Sequence, residues 1–315
     1  MANYDITFLG KKAKEMGFIR DTLEKVARLV DILDYFNTNP SLKDNLALKG
    51  GTAINLTIFK LPRLSVDIDL DYIINNSKEE MFNSRKIINH TIEKFMGSEG
   101  YTLSSKSKET HSLDSFVYSY SGTSGNKDNI KIEVNYSLRS HILEVEERTV
   151  ITEHFSNEYK IKTLNIIEIY ASKINAMLNR AAARDLYDVN NMIKYKIFDK
   201  TEQEIIKKCI IFYAAISDKN INKIFNNEAI ELITKNNIKR ELLPVLKTKD
   251  DFELEPAKKL VKEYMSELMV LSKKEKKFLN RFKNGEYIPE LLFEDEKIIN
   301  RIKAHPMALW KLRKR

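Results

Sequence analysis

Residues 64–74 read Leu64-Ser-Val-Asp67-Ile-Asp69-Leu-Asp71-Tyr-Ile-Ile74. Apolar and polar side chains alternate over four pairs, the period of a strand with one buried face, and Asp67, Asp69 and Asp71 all fall on the other face. Residues two apart on one strand face have Cα atoms roughly 6.6 Å apart. Carboxylates at that spacing repel each other and gain nothing without a cation or a basic partner. Asp67 and Asp69 are therefore read as a pair able to share divalent cations, the hard ions that take carboxylate oxygen.

Upstream, Leu46-Ala-Leu-Lys49-Gly50-Gly51-Thr52-Ala-Ile-Asn-Leu56 is a short apolar run, a glycine pair and a segment able to begin a helix. It reads as strand, tight turn, helix. Glycines there let backbone amides approach an anion at a helix N-terminus, so Gly50, Gly51 and Thr52 are candidates for a phosphate cradle. Two glycines and a threonine also make an ordinary turn, and it is the acidic strand after them that gives them meaning. A carboxylate pair facing a phosphate-binding turn is what two-metal phosphoryl or nucleotidyl transfer needs, with metals roughly 4 Å apart clamping the attacking and leaving oxygens. Ser65 shares the Asp67 face by period-two alternation, and Ser65 and Arg63 are expected to touch a triphosphate. Lys49 either does the same or caps an exposed strand. Asp71 is expected at the strand end, beside the site.

Working outward, residues 5–36 carry apolar positions three or four apart, the mark of an amphipathic helical start, and 78–96 also reads as helix. Three β-like segments follow at 101–106, 115–120 and 130–136. A two-metal site usually wants a third carboxylate, and Glu133, between Ile132 and Val134 on the last of these, is preferred over Asp114 and Asp128. After about residue 163 the texture turns helical, with no Gly or Pro from Ile166 to Ile193. The expected architecture is α/β, or α+β: a mixed-sheet domain with N-terminal helices over 1–163, then an α-helical bundle over 164–315.

The whole chain has 315 residues, 43% apolar and 31% charged, enough for two domains with real cores. Residues 1–150 carry a net charge of −1 and residues 151–315 one of +9. That asymmetry suggests chemistry in one half and polyanion capture in the other, although lysine-rich surfaces also serve solubility. No apolar run approaches the ~18–20 residues of a membrane span, and no apolar signal core opens the chain. A single cysteine, Cys209, excludes an internal disulfide and a thiolate metal cage, which suits a reducing cytoplasm. The five histidines lack zinc spacing. No nucleophile-elbow, Walker or dinucleotide fingerprint is present, which removes hydrolase and dehydrogenase readings.

The order strand, Gly-Gly, helix, Asp-x-Asp strand, later strand carboxylate resembles the nucleotidyltransferase fold of the polymerase β type. More narrowly, Lys49-Gly-Gly-Thr-Ala53 with Arg63-x-Ser-x-Asp67-Ile-Asp69-Leu resembles the AbiEii/AbiGii family of nucleotidyltransferase-like toxins. Residues 173–188, Lys173-Ile-Asn-Ala-Met-Leu-Asn-Arg180-Ala-Ala-Ala-Arg184-Asp185-Leu-Tyr-Asp188, are similar to that family's lysine followed by Arg-Asp-x-Tyr-Asp. The match spans about residues 45–195. On one continuous helix Lys173, Arg180 and Arg184, at i, i+7 and i+11, would share a face to within about 20°, a cationic stripe suited to a triphosphate or departing pyrophosphate. Asp185 and Asp188 would orient those cations through ion pairs or, in the manner of the family, join the active site.

The resemblance implies a bacterial, cytoplasmic toxin that transfers a nucleoside monophosphate from an NTP to RNA, the 3′ end of tRNA being the first candidate acceptor, with Mg²⁺ or Mn²⁺. It implies growth arrest within a toxin–antitoxin or phage abortive-infection system, and an antitoxin regulator encoded separately that need not bind the toxin. Asp67 and Asp69 would hold the metals, with Glu133 completing the set and helping to activate the attacking hydroxyl. Lys173 and Arg184 would neutralise charge on the triphosphate, with Asp185 and Asp188 positioning them. Two alternatives stay open: NTP-dependent modification of a protein or small molecule, and a non-catalytic RNA- or antitoxin-binding protein of the same fold. At the far end, basic residues over 271–283 and the tail surround Phe278, Phe282 and Trp310. They suit phosphate contact with base stacking, or else solvated helix ends.

Overall fold

The computed structural model describes residues 5–59, 61–150, 158–217 and 225–314. The chain divides into two units: Met1–Arg139, Val145–Leu164 and Pro244–Asp250 form the first, and Ser140–Glu144, Asn165–Leu243 and Asp251–Arg315 the second.

In the first unit α1 (Ile6–Met16) ends at Gly17 in the left-handed region, and α2 (Arg20–Thr38) and a single turn α3 (Pro40–Lys43) follow. β1 (Leu46–Lys49) runs straight into α4 (Gly50–Ala53), which widens into a π turn over Ile54–Ile58. β2 (Asp67–Tyr72) comes next, then α5 (Lys78–Ser98), whose start is fixed by a reciprocal capping box between Ser77 and Glu80. Two short strands, β3 (Thr102–Leu103) and β4 (Lys108–Glu109), precede the long hairpin of β5 (Leu113–Ser121) and β6 (Lys127–Asn135). β7 (Glu146–Val150) and β8 (Tyr159–Thr163) follow; neither is among the expected strands, although Tyr159-Lys-Ile161-Lys-Thr163 does alternate.

These strands form one mixed sheet in the order β3-β5-β6-β2-β1-β8-β7, with β4 on β5. β2 lies between an antiparallel neighbour, β1, and a parallel one, β6. The buried face is built from Leu46, Leu48, Ile68, Leu70, Tyr72, Phe116, Tyr118, Tyr120, Ile130, Ile132 and Val134. Full burial of one such side chain contributes ~1.5–3 kcal/mol. A one-residue slip of β2 would turn Ile68, Leu70 and Tyr72 out and Asp67 and Asp69 in, so the register is strongly held. α2 and α5 cover this face: Arg28 of α2 stacks 4.5 Å above the Tyr120 ring, and Arg85 of α5 binds the buried Asp114 of β5.

The second unit is helical: α6 (Ile166–Arg180), α7 (Ala183–Lys194), α8 (Lys200–Ile216), the short α9 (Glu228–Glu231) and α10 (Lys235–Asn237), α11 (Leu254–Leu268), α12 (Lys273–Lys283), α13 (Glu296–Ile302) and α14 (Pro306–Arg313). Ile174, Met177 and Leu178 of α6 are buried, as are Ile206, Ile210 and Phe212 of α8. Glu168 of α6 gathers Ser140–Glu144 into this unit, accepting from Ile142 N at 3.2 Å, Leu143 N at 3.0 Å and the Tyr213 hydroxyl, with His141 Nδ1 3.2 Å away. Burial pushes the Glu168 carboxyl up, but these partners, His141 foremost, hold it below its ordinary value. Among the described residues no helix is long and apolar enough to cross a membrane.

The helical stretch of residues 166–193, free of Gly and Pro, is two helices rather than the one that a shared Lys173, Arg180 and Arg184 face would need. Ala181 adopts a left-handed φ of 53° and separates α6 from α7. Propensity alone would continue through the three alanines at 181–183; packing of α7 overrides it.

Candidate active site

The strand β1 ends at Lys49, opposite Asp69 in the antiparallel register, so the helix that starts at Gly50 begins beside the acidic face of β2. Gly50 has φ 70°, and an added Cβ would sit 2.5 Å from Asp69 Oδ2. At Gly51 an added Cβ would meet Arg63 Nη2 at 2.7 Å and Ser65 Oγ at 3.0 Å. The two glycines thus let a carboxylate and a guanidinium press against bare backbone, a close approach that no side chain permits.

Strand pairing begins at Asp67 rather than at Leu64, and other contacts hold the approach. Leu64 N donates to Val245 O at 2.8 Å, and Arg63 bridges Leu246. Arg63 is almost wholly buried, with Nη1 donating to Leu64 O at 2.8 Å. Thr52 is fully buried, and its hydroxyl lies 3.0 Å from Ser65 Oγ and against the Asp67 carbonyl. Thr52, Arg63 and Ser65 therefore tie the glycine turn to the start of β2.

In the parallel pairing of β2 with β6, Asp67 stands beside Lys131 and Asp69 beside Glu133. Glu133 shares the half-exposed face of the aspartates, with Oε1 2.7 Å from Lys131 Nζ. The competing carboxylates lie on the other face. Asp114 is register partner of the core residue Val134 and binds Arg85; Asp128 faces Tyr120 and pairs with Lys25 at 3.2 Å. Asp71 is buried and paired with Lys49 at 2.5 Å, which occupies the Lys49 ammonium with a strand carboxylate.

In the second unit the basic residues of the Lys173–Asp188 motif do not form a stripe on one helix. Lys173 and Arg180 sit on α6 and Arg184 on α7, because the chain turns at Ala181. Lys173 is buried with its ammonium 3.0 Å from Asp185 and 3.1 Å from Asp188. Arg180 reaches Asp185 at 2.7 Å while its own side chain stays 59% exposed. Arg184 Nε donates to Glu241 O at 2.7 Å, and Glu241 also accepts from Ala183 N, capping α7. Burial pushes the Asp185 carboxyl up, but Lys173 and then Arg180 outweigh it and hold it at about 2.

A family model described as the nucleotidyl transferase AbiEii toxin of a type IV toxin–antitoxin system matches residues 31–286. The chain belongs to the AbiEii nucleotidyltransferase family. Among solved structures it is similar to MenT4, a nucleotidyltransferase toxin from Mycobacterium tuberculosis H37Rv, with a TM-score of 0.64 and 15% identity over 98% of this chain and 99% of that one. At that identity the likeness is one of fold. No curated protein sequence matches.

This AbiEii chain is thus a nucleotidyltransferase of the toxin class, using NTP and belonging with an antitoxin. Enzymes of the kind use a divalent metal, and Asp67, Asp69 and Glu133 offer the hard oxygen donors it takes. Among the described residues no three such side chains converge as a metal-holding group, and Glu133 is paired with Lys131. The donor chemistry fits, with Glu133 having to leave Lys131 to take part. Lys131 and Glu241 escaped sequence reading: a strand lysine and a glutamate in the π turn Ile238–Leu242 carry no spacing signal, and only register and helix capping bring them to these positions. Of the two readings left open for the C-terminal aromatics, base stacking does not hold for Phe278 and Phe282. Phe278 and Phe282 are buried core residues, with rings 5.9 Å apart, and Lys314 lies 3.9 Å above the Trp310 ring.

Proposed function

We propose that this AbiEii enzyme transfers a nucleoside monophosphate from an NTP to RNA, with the 3′ end of tRNA as acceptor, and releases pyrophosphate. The observation that carries the reading is the placing of Asp67, Asp69 and Glu133 on one face of the adjacent strands β2 and β6, with Asp69 against Gly50 at the start of α4. Backbone N–H groups at a helix start favour phosphate, and the bare backbone of Gly50 and Gly51 lets Asp69 and Arg63 pack against that start. Asp67, Asp69 and Glu133 would hold Mg²⁺ or Mn²⁺, which when bound would stabilise charge on the attacking and leaving oxygens. Glu133 would also accept the proton of the attacking ribose hydroxyl. Arg63, Ser65 and Thr52 keep the glycine turn and β2 in fixed relation, so Asp67 and Asp69 need little reorganisation during transfer.

We assign the second unit's motif to anion handling and its support. Arg180 and Arg184 would meet phosphate charge, with Lys173, Asp185 and Asp188 forming the rigid group that places Arg180. The same reading puts the enzyme in a bacterial cytoplasm, where RNA modification would arrest growth as part of antitoxin-controlled or phage-induced defence.

The test incubates the purified protein with Mg²⁺, bulk tRNA and each NTP labelled at the α-phosphate, beside Asp67→Ala. Label on tRNA from the wild type alone, with one NTP preferred, is the expected result. Absence of labelled RNA with every NTP would overturn RNA transfer. A protein or small molecule labelled instead would identify another acceptor.

A further inference from the structure

The helix α12 carries six basic side chains, Lys273, Lys274, Lys276, Lys277, Arg281 and Lys283, against one acid, Glu275. Glu275 faces inward, where it closes the capping box with Ser272 and pairs with Lys207 at 3.1 Å. Phe278 and Phe282 anchor the same inner face. On the outer face Lys273, Lys276, Lys277, Asn280, Arg281 and Asn284 line a shallow open groove. Their spacing, i, i+3, i+4, i+7, i+8 and i+11, is that of a single helical stripe, and all six are exposed.

Local stability does not explain this stripe. Like charges three and four apart repel, and Lys273 lies in the first helical turn, where the dipole disfavours a cation. Arg281 is paired with Glu286 at 2.8 Å. Among the described residues, by contrast, no carboxylate lies within ion-pair distance of Lys273, Lys276 or Lys277. A face that accumulates repelling cations, held rigid by a buried aromatic pair, is arranged for an external polyanion. Phe278 and Phe282 are buried and Leu279 is half-buried, so the helix has no broad apolar face to lay into a lipid surface. Neighbouring side chains on the stripe are ~5–6 Å apart, close to the repeat of successive phosphates along one strand, and the two asparagine amides add neutral donors for phosphate and sugar oxygens.

We infer that the outer face of α12 binds the phosphate backbone of the acceptor RNA, an inference that rests on the RNA reading above. This contact is independent of base sequence and governed by salt.

The experiment measures binding of fluorescent bulk tRNA to the full-length protein by anisotropy across a NaCl series. It compares the wild type, Lys273→Gln/Lys276→Gln/Lys277→Gln, the corresponding triple Lys→Arg variant, and a charge-matched control, Lys78→Gln/Lys86→Gln/Lys94→Gln on α5. Loss of three phosphate contacts should lower the slope of log K against log [NaCl] by about 2 and weaken binding roughly tenfold or more near 0.1 M salt. The arginine triple and the α5 control should keep the wild-type slope. Equal slopes and affinities for wild type and the α12 glutamine triple would overturn the surface while leaving RNA transfer standing. Wild-type protein that binds no tRNA would overturn both. Binding to phosphatidylserine vesicles that the α12 triple abolishes, with tRNA binding kept, would reassign the face to a membrane and overturn the RNA inference.

Discussion

Asp69 of β2 and Glu133 of β6 are register partners on adjacent parallel strands, which places two carboxylates from positions 64 residues apart side by side on one face. Lys131, two residues before Glu133, holds it at 2.7 Å. If Glu133 receives the proton of the attacking hydroxyl, Glu133→Gln lowers kcat for monophosphate transfer by about 10²-fold or more with little change in stability. Lys131→Met should leave transfer measurable and lower the Mg²⁺ concentration needed for half-maximal rate. Steady-state rates across a Mg²⁺ series check both, and a Glu133→Gln enzyme with wild-type kcat would remove Glu133 from the site.

Gly50 separates backbone strain from function. Gly50→Ala and Gly125→Ala both force alanine into the left-handed region, at φ 70° and 79°, but only the Gly50 Cβ meets a neighbour, Asp69 Oδ2 at 2.5 Å; Gly125 has nothing within 4 Å. Each should lose about 1–2 kcal/mol to the backbone term, read by urea denaturation. Transfer activity should survive Gly125→Ala and collapse in Gly50→Ala. Equal activity in the two would show that the close approach of Asp69 has no part in the reaction.

Asp185 links the second unit's stability to pH. Its folded carboxyl sits at about 2, below the ordinary value of 3.8, so its ionised form stabilises the fold fully above roughly pH 5. That contribution, on the order of 2 kcal/mol, fades as pH falls through 4 towards 2. Asp185→Asn leaves Lys173 buried with Asp188 as its remaining carboxylate and should cost about 3–5 kcal/mol at pH 7. Its stability should then fall less steeply than the wild type's between pH 5 and 2. Parallel urea midpoints for the two proteins over that range would contradict the assignment.

Asp114 provides a contrast, as a buried carboxylate on the opposite face from Glu133. Arg85 binds it at 2.8 Å and also donates to Thr110 O at 2.6 Å and His111 O at 3.1 Å. Arg85→Met strands the Asp114 charge and should cost about 3–5 kcal/mol, seen as a lower melting temperature. At temperatures where the variant stays folded, kcat should remain within a few-fold of wild type. A large loss of turnover without loss of stability would move Asp114 into the chemistry.

How much was legible follows from the range of each signal. The alternation at Asp67–Tyr72 and the glycine pair at 50–51 are local patterns, and so the mixed α/β class and the nucleotidyltransferase family could be read directly. β7 could not, because Glu146–Val150 is a polar edge strand with no hydrophobic alternation, whereas β8 alternates over only five residues, Tyr159–Thr163, too few to stand out. The break at Ala181 was hidden because alanine is the strongest helix former, and only the docking of α7 under Lys173 and Arg180 turns the chain there. Base stacking stayed open for Phe278 and Phe282 because composition shows aromatics among lysines without showing which helical face each occupies.

The sequence by itself determined which side chains can carry chemistry and which period each segment follows, since both are properties of residues a few positions apart. It thereby specified the acidic strand, the glycine turn and the helical second half. Only the tertiary structure decided which carboxylate stands beside Asp69, that Lys49 answers to Asp71, and that Lys173 is enclosed by Asp185 and Asp188 rather than displayed on a stripe. Those outcomes depend on strand register and on burial, where each charge must find a partner contributed by another part of the chain.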